Sequence, residues 1–282
     1  MEASTGRIGT EEGVVMTNWI EGGLQTDHGY FRLYRTGRAG GPSVVLAHGL
    51  SDSAKCWWRV AGALAEQYDV IAYDARNHGA SSTASASSAG LVDDLAAIID
   101  TAELDRPTLI GHSVGARTMA EFVASHPGVA SGLVLVDPPW SANQELDGTV
   151  PDDRREVVRA WLASLSEATE QELAELARQQ HPDWPDAEYP TWIESKQQVR
   201  PEAADALDAL GWGSIVPALD CRTLLLHGDV DSGGMVDDAV ARRVGELNSL
   251  VTCQRIGGAG HNIHRENFID FIDVVAEFLR ST

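Results

Sequence analysis

Residues 107–124 read PTLIGHSVGARTMAEFVA, and the order of residue types in that stretch decides the fold. A short apolar run, Thr108, Leu109 and Ile110, enters Gly111-His112-Ser113-Val114-Gly115, and Val114, Met119, Phe122 and Val123 then follow at helical spacing. The pattern predicts a strand that turns sharply into a helix at Ser113. At such a corner the serine backbone is strained and its hydroxyl projects, so the residues two before and two after it must lack a Cβ. Gly111 and Gly115 meet that need. Ser113 also stands at the N-terminus of the following helix, where free N–H groups favour developing negative charge. It is the candidate nucleophile. A serine before a helix is more often a plain N-cap, and G-x-S-x-G alone is a weak signal in a chain with 27 glycines. The strand before it, the helix after it and a histidine late in the chain, His261, select the catalytic reading.

Outward from this corner, two further landmarks fall in order. His48-Gly49-Leu50 follows the continuous apolar run Val44 to Ala47, and Gly260-His261 lies near the C-terminus. From about residue 28 to residue 280 the chain resembles the α/β-hydrolase superfamily. Alternating strands and helices predict an α/β fold with a doubly wound, mostly parallel sheet, whose reactive groups gather at the carboxyl ends of the strands. The resemblance implies eight strands and a helical lid, with a core over residues 13–139 and 214–282 and a cap over 140–213. It also implies an oxyanion hole made by the N–H groups of Leu50 and Val114. Residues 1–12 are small, polar and acidic and are expected to form a poorly ordered tail. Gly13 to Ile20 and Gly29 to Arg35 read as two strands, with Gly22, Gly23, Asp27, His28 and Gly29 as the turn between them.

A serine hydroxyl needs a base, and an imidazole serves best when a carboxylate fixes its tautomer. His261, after Gly-Ala-Gly, is the candidate base, and His264 is expected on a final helix running from Ile263 to Arg280. Two carboxylates compete as the acid. Asp231 holds the usual place after the seventh core strand. Asp137 ends the strand after the corner helix. Gly111–Arg117, Leu135–Pro139 and Gly260–Phe268 resemble the N-formylmaleamate deformylase type, in which the acid implied is Asp137. The chain departs from that type by keeping Asp229 and Asp231. Asp137 is the preferred reading and Asp231 the alternate.

Asp74-Ala75-Arg76-Asn77-His78-Gly79 matches a loop of the superfamily with Asn77 in place of a glycine, and Asp74, Arg76 and His48 read as loop scaffolding. Trp140, directly after Asp137-Pro138-Pro139, and Trp57, one of two adjacent tryptophans, are candidate substrate-binding residues. The cap carries Trp161, Trp184, Trp192 and Trp212, which either line a dry pocket or fill the cap's own core.

Composition bounds the remaining possibilities. At 282 residues with 43% hydrophobic content there is ample material for one large domain with an insertion. With 42 acidic against 21 basic residues and a net charge of −21, nucleic acid and anionic membranes are excluded as expected partners. A small-molecule substrate is expected, with monomer and homodimer both open. Cys56, Cys221 and Cys253 show no metal spacing, and neither metal nor cofactor is expected. The absence of an apolar leader in these residues predicts a cytoplasmic setting. The expected chemistry is hydrolysis of a small ester, lactone or amide. C–C bond hydrolysis, cofactor-free perhydrolase chemistry or non-catalytic ligand binding are the alternatives. A dehalogenase would place Asp at position 113.

Overall fold

A computed structural model describes residues 19–85 and 87–282. The tail expected over 1–12, and the first expected strand up to residue 18, lie outside the described residues. Among the described residues eight strands make one sheet: β1 (Ile20–Thr26), β2 (Gly29–Gly37), β3 (Ser43–Ala47), β4 (Asp69–Tyr73), β5 (Thr108–His112), β6 (Gly132–Val136), β7 (Arg222–His227) and β8 (Val251–Arg255). Their spatial order is β1-β2-β4-β3-β5-β6-β7-β8. β1 and β2 form an antiparallel edge, and the six strands β3 to β8 run parallel. The doubly wound, mostly parallel α/β sheet read from the sequence is borne out.

Helices cover both faces, which is why the central strands are apolar without alternation. On one side lie α1 (Trp58–Leu64) and, at the far end of the chain, a helix from Phe268 to Arg280. On the other lie α2 (Ser88–Thr101), α3 (Val114–Ser125) and a helix from Asp238 to Leu247. Leu109, Leu133 and Leu135 belong to the second layer's core, and their neighbours Ile110, Val134 and Val136 to the first. This is the period of two that a strand imposes.

Between β6 and β7 the chain leaves the sheet for α4 (Asp152–Glu167), α5 (Glu170–Gln180) and α6 (Tyr189–Gln198), followed by a 3₁₀ turn at Pro201–Leu207. Leu162, Leu165, Leu173, Trp184, Trp192 and Val199 give this lid a core of its own. A short α7 (Trp212–Ile215) returns to β7, and α8 (Asp238–Leu247) precedes β8. Among the described residues no helix is long and apolar enough to cross a membrane.

Three local expectations are corrected. Gly22 and Gly23 lie inside β1, and the turn is confined to Asp27 and His28. The Tyr30 ring of β2 lies over Gly23, where a Cβ would come within 2.2 Å of its hydroxyl, so the glycine's missing side chain is filled from across the ladder. The closing helix is broken at Asn267 (φ −135°) into α9 (Ile263–Glu266) and α10 (Phe268–Arg280), and the Asn267 side chain caps α10. Finally, α8 starts at Asp238 rather than Met235, because Asp237 caps it by accepting from the Val240 N–H at 2.7 Å.

Candidate active site

The turn between β5 and α3 has the strain its sequence requires. Ser113 stands at φ 52° and ψ −121°, in a region that side chains avoid. A Cβ on Gly111 would lie 2.5 Å from Gly115 O, and one on Gly115 would lie 2.5 Å from Ala47 O. The corner is tied to β6 by Ser113 N–H donating to Val136 O at 2.9 Å. The serine hydroxyl makes no capping bond to α3. Val114, as first residue of that helix, carries an amide with no intrahelical acceptor. The Gly49-Leu50 segment comes up beside it: a Cβ on Gly49 would sit 3.4 Å from Ser113 Cβ and 3.0 Å from His112 Nδ1.

His261 arrives on the loop after β8. Its Nδ1 lies 2.6 Å from Asp137 Oδ2, leaving Nε2 as the ring nitrogen available to act as a base. Asp137 is 0% exposed and adopts a positive φ of 43°. Its carboxylate also accepts the N–H groups of Met235 at 2.9 Å and Val236 at 3.2 Å, and its own N–H donates to Leu226 O at 2.8 Å. Asp231 is exposed on the turn Val230–Ser232, while Asp229 binds the Gly258 N–H at 2.7 Å and steadies the histidine loop. The structure therefore brings Asp137, and not Asp231, to His261. His112 donates its Nε2–H to the His261 carbonyl at 3.0 Å, a direct tie between the serine corner and the histidine loop.

Ser113, His261, Leu50, Trp161, His181 and Lys196 border a cavity of about 270 Å³ beneath the lid. Trp161, 44% exposed, stands at its mouth. A second crevice of about 470 Å³ runs from Val114 past Trp140, Val158, Leu207, Trp212 and Met235. The lid tryptophans thus divide: Trp161 faces a cavity, Trp184 belongs to the lid core, and Trp192 does both.

Trp57 does not border either cavity and is corrected to a core residue. It is 1% exposed and stacks on His264 with ring centroids 4.7 Å apart. Adjacent tryptophans both find cover because the chain passes from a 3₁₀ turn, Ala54–Trp57, into α1 at this point, while Glu188 of the lid closes over Trp58. His264 sits on α9, buried between Trp57 and His112 and away from Asp137.

His48 donates Nδ1–H to Gly49 O at 2.8 Å and accepts the Ala75 N–H on Nε2 at 3.0 Å, which requires the neutral ring. Burial pushes its pKa down to about 3. Burial likewise lowers His78, and holds His112 and His264 well below the usual imidazole range. His181 is lowered to about 4, first by burial and then by the nearby Arg265 and Lys196 charges. The sign of the resulting pH dependence follows from proton counting. The unfolded chain protonates these rings below about pH 6.5 while the folded chain does not, so their stabilisation is complete above that value. It is lost as pH falls toward the folded values. Asp74 and Asp94, raised by burial, offset part of this loss. The urea midpoint is expected to drop steadily from pH 7 to pH 5, and a flat or rising midpoint would contradict the buried neutral histidines.

Sequence reasoning missed the amides of Met235 and Val236, although Asp237-Asp238 is an N-cap signal that would have moved the helix start past them. It also missed Asp52, Lys196 and Arg265, which form a buried charged cluster. A lysine within a tryptophan-bearing lid segment was the available signal. Donor atoms of Asp52, His112 and His264 lie within 4.8 Å of one another, but both Asp52 oxygens already face cations, so a metal ion there would lack counter-charge.

Comparison with known proteins bears on the family and the fold. The sequence pattern of the alpha/beta hydrolase fold family matches residues 42–268. N-formylmaleamate deformylase of Pseudomonas putida is 25% identical over 284 residues, covering 94% of this chain and 98% of that protein. An uncharacterized protein of Mycobacterium tuberculosis is 32% identical over 115 residues, a match spanning 40% of this chain and only 33% of the relative's length. The crystal structure of E-2-(acetamidomethylene)succinate hydrolase superposes with a TM-score of 0.76 at 18% identity, over 93% of this chain and 100% of that one. The chain belongs to the α/β-hydrolase fold family.

Proposed function

We propose that the protein is a serine hydrolase that cleaves a small amide or ester through an acyl-enzyme. Ser113 Oγ attacks the carbonyl carbon while His261 Nε2 takes its proton. Asp137 fixes the tautomer that makes this possible and stabilises the imidazolium. The N–H groups of Leu50 and Val114 hold the oxyanion, His261 returns the proton to the leaving nitrogen or oxygen, and a water activated by the same imidazole releases the acid. The observation that carries the reading is the 2.6 Å contact between Asp137 and His261, made in a protein whose Ser113 and His261 border one cavity.

The substrate would extend from the cavity that Ser113 borders toward the larger crevice that starts at Val114, with Trp140 as a wall of the latter. An amide is favoured over an ester because the deformylase, matched over nearly its whole length, is named for an amide-type substrate. A fluorophosphonate probe followed by mass spectrometry tests the reading. Labelling confined to Ser113 and absent from Ser113→Ala is the expected result, with turnover then found in a panel of small formamides, amides and esters. No labelling of the wild type would reject the mechanism. Labelling without turnover of any panel member would favour a ligand-binding member of the family.

A further inference from the structure

We infer that Asp52 is a positioning residue for the oxyanion donor, held in place by a counter-charge that the lid supplies; the inference rests on the serine-hydrolase reading above. Gly49-Leu50-Ser51-Asp52 is a turn closed by Asp52 N–H donating to Gly49 O at 3.1 Å. Gly49 C=O and Leu50 N–H belong to one planar trans peptide and point in opposite directions. Whatever holds that carbonyl therefore aims that amide. Gly49 O receives the Asp52 N–H and, at 2.8 Å, the His48 Nδ1–H. The next two carbonyls are engaged as well: Leu50 O by His78 Nε2 at 2.6 Å and Ser51 O by Lys196 Nζ at 2.9 Å.

The Asp52 carboxylate is gripped from two other parts of the fold. Lys196, on α6 of the lid, donates to Oδ1 at 2.7 Å, and Arg265, on α9 four residues after His261, donates to Oδ2 at 3.1 Å. All three side chains are buried. Burial by itself would raise the Asp52 carboxyl, but Arg265 and Lys196 outweigh it and hold the group well below the ordinary carboxylate range. Lys196 has no donor left over for a substrate. Its remaining hydrogen points to Ser195 Oγ at 3.4 Å, and its ammonium lies 4.5 Å from the centre of the Trp192 ring. Lys196 thus serves the turn rather than the ligand. Withdrawing the lid would take away one of two cations and the hydrogen bond to Ser51 O together, so the turn that aims the Leu50 amide has its full set of restraints only with the lid seated.

The test compares wild type with Asp52→Asn and Lys196→Met, the second of which keeps a straight chain against Trp192. Two quantities are read well below each melting temperature: kcat and KM for one substrate, and the second-order rate of fluorophosphonate labelling, whose phosphonyl oxygen occupies the oxyanion hole. Both rates are expected to fall on the order of 10- to 100-fold, with KM changed less than about threefold. A role confined to stability would lower the melting temperature and leave the labelling rate unchanged, and that result in either folded variant overturns the inference. Should Asp52→Asn not fold, Lys196→Met alone decides by the same criterion. Failure of the wild type to label is a different outcome, which removes the serine-hydrolase reading and this inference with it.

Discussion

Asp137→Asn is expected to lower kcat on the order of 10⁴-fold, while Asp231→Asn changes it by less than about twofold. The asymmetry comes from where the two carboxylates stand. Asp137 is fully buried, meets His261 Nδ1 at 2.6 Å and is itself held by the Met235 and Val236 amides. An asparagine there keeps the shape. It offers an amide that can donate to Nδ1, which selects the tautomer whose Nε2 bears hydrogen and cannot take the serine proton. It also removes the negative charge that stabilises the imidazolium. Asp231 lies exposed on its turn, so the same change there touches only solvent. Steady-state kinetics on the best amide or ester from the panel decide it. Comparable mild losses at both positions would remove both residues from the mechanism.

The second large effect is non-additive. Ser113→Ala, His261→Ala and the double variant are each expected to lose on the order of 10⁶ in kcat, because the base has no task without the hydroxyl and the hydroxyl has no nucleophilicity without the base. The activity remaining above the uncatalysed rate, roughly 10³-fold, would come from the Leu50 and Val114 amides and from binding. Single-turnover assays with an activated ester read such slow rates. Losses that multiply in the double variant would show that the two residues act in separate steps.

Much of this arrangement is legible in the sequence because the signals are local. The strained corner at Ser113 needs glycines at 111 and 115, and the central strands need unbroken apolar runs, so both are written in short stretches. The partner of His261 is legible only as a pair of alternatives. Asp137 and Asp231 both follow core strands, and what separates them is a bond across 124 residues of chain that no local pattern encodes. The layering of Trp57 and Trp58 is hidden for a similar reason: helical geometry sends adjacent side chains in different directions, but α9 and the lid, folded from distant segments, cover both. The glycines of β1 mimic turn residues because the ring that covers Gly23 comes from the opposite strand. The Asp52 cluster leaves no sequence pattern, since its members lie at positions 52, 196 and 265, each ordinary among its sequence neighbours.

The tie from His112 to the carbonyl of His261 joins residues 149 positions apart. It forms only after β8, the last strand in the chain, has docked on β7 at the sheet's edge. Closing so long a loop is entropically slow, and every earlier strand pairing can form without it. During refolding, recovery of helical and strand signal will therefore run ahead of recovery of turnover, and the enzyme assay will time the arrival of the C-terminal segment. A chain released before that segment has emerged would carry a nearly complete sheet and no base.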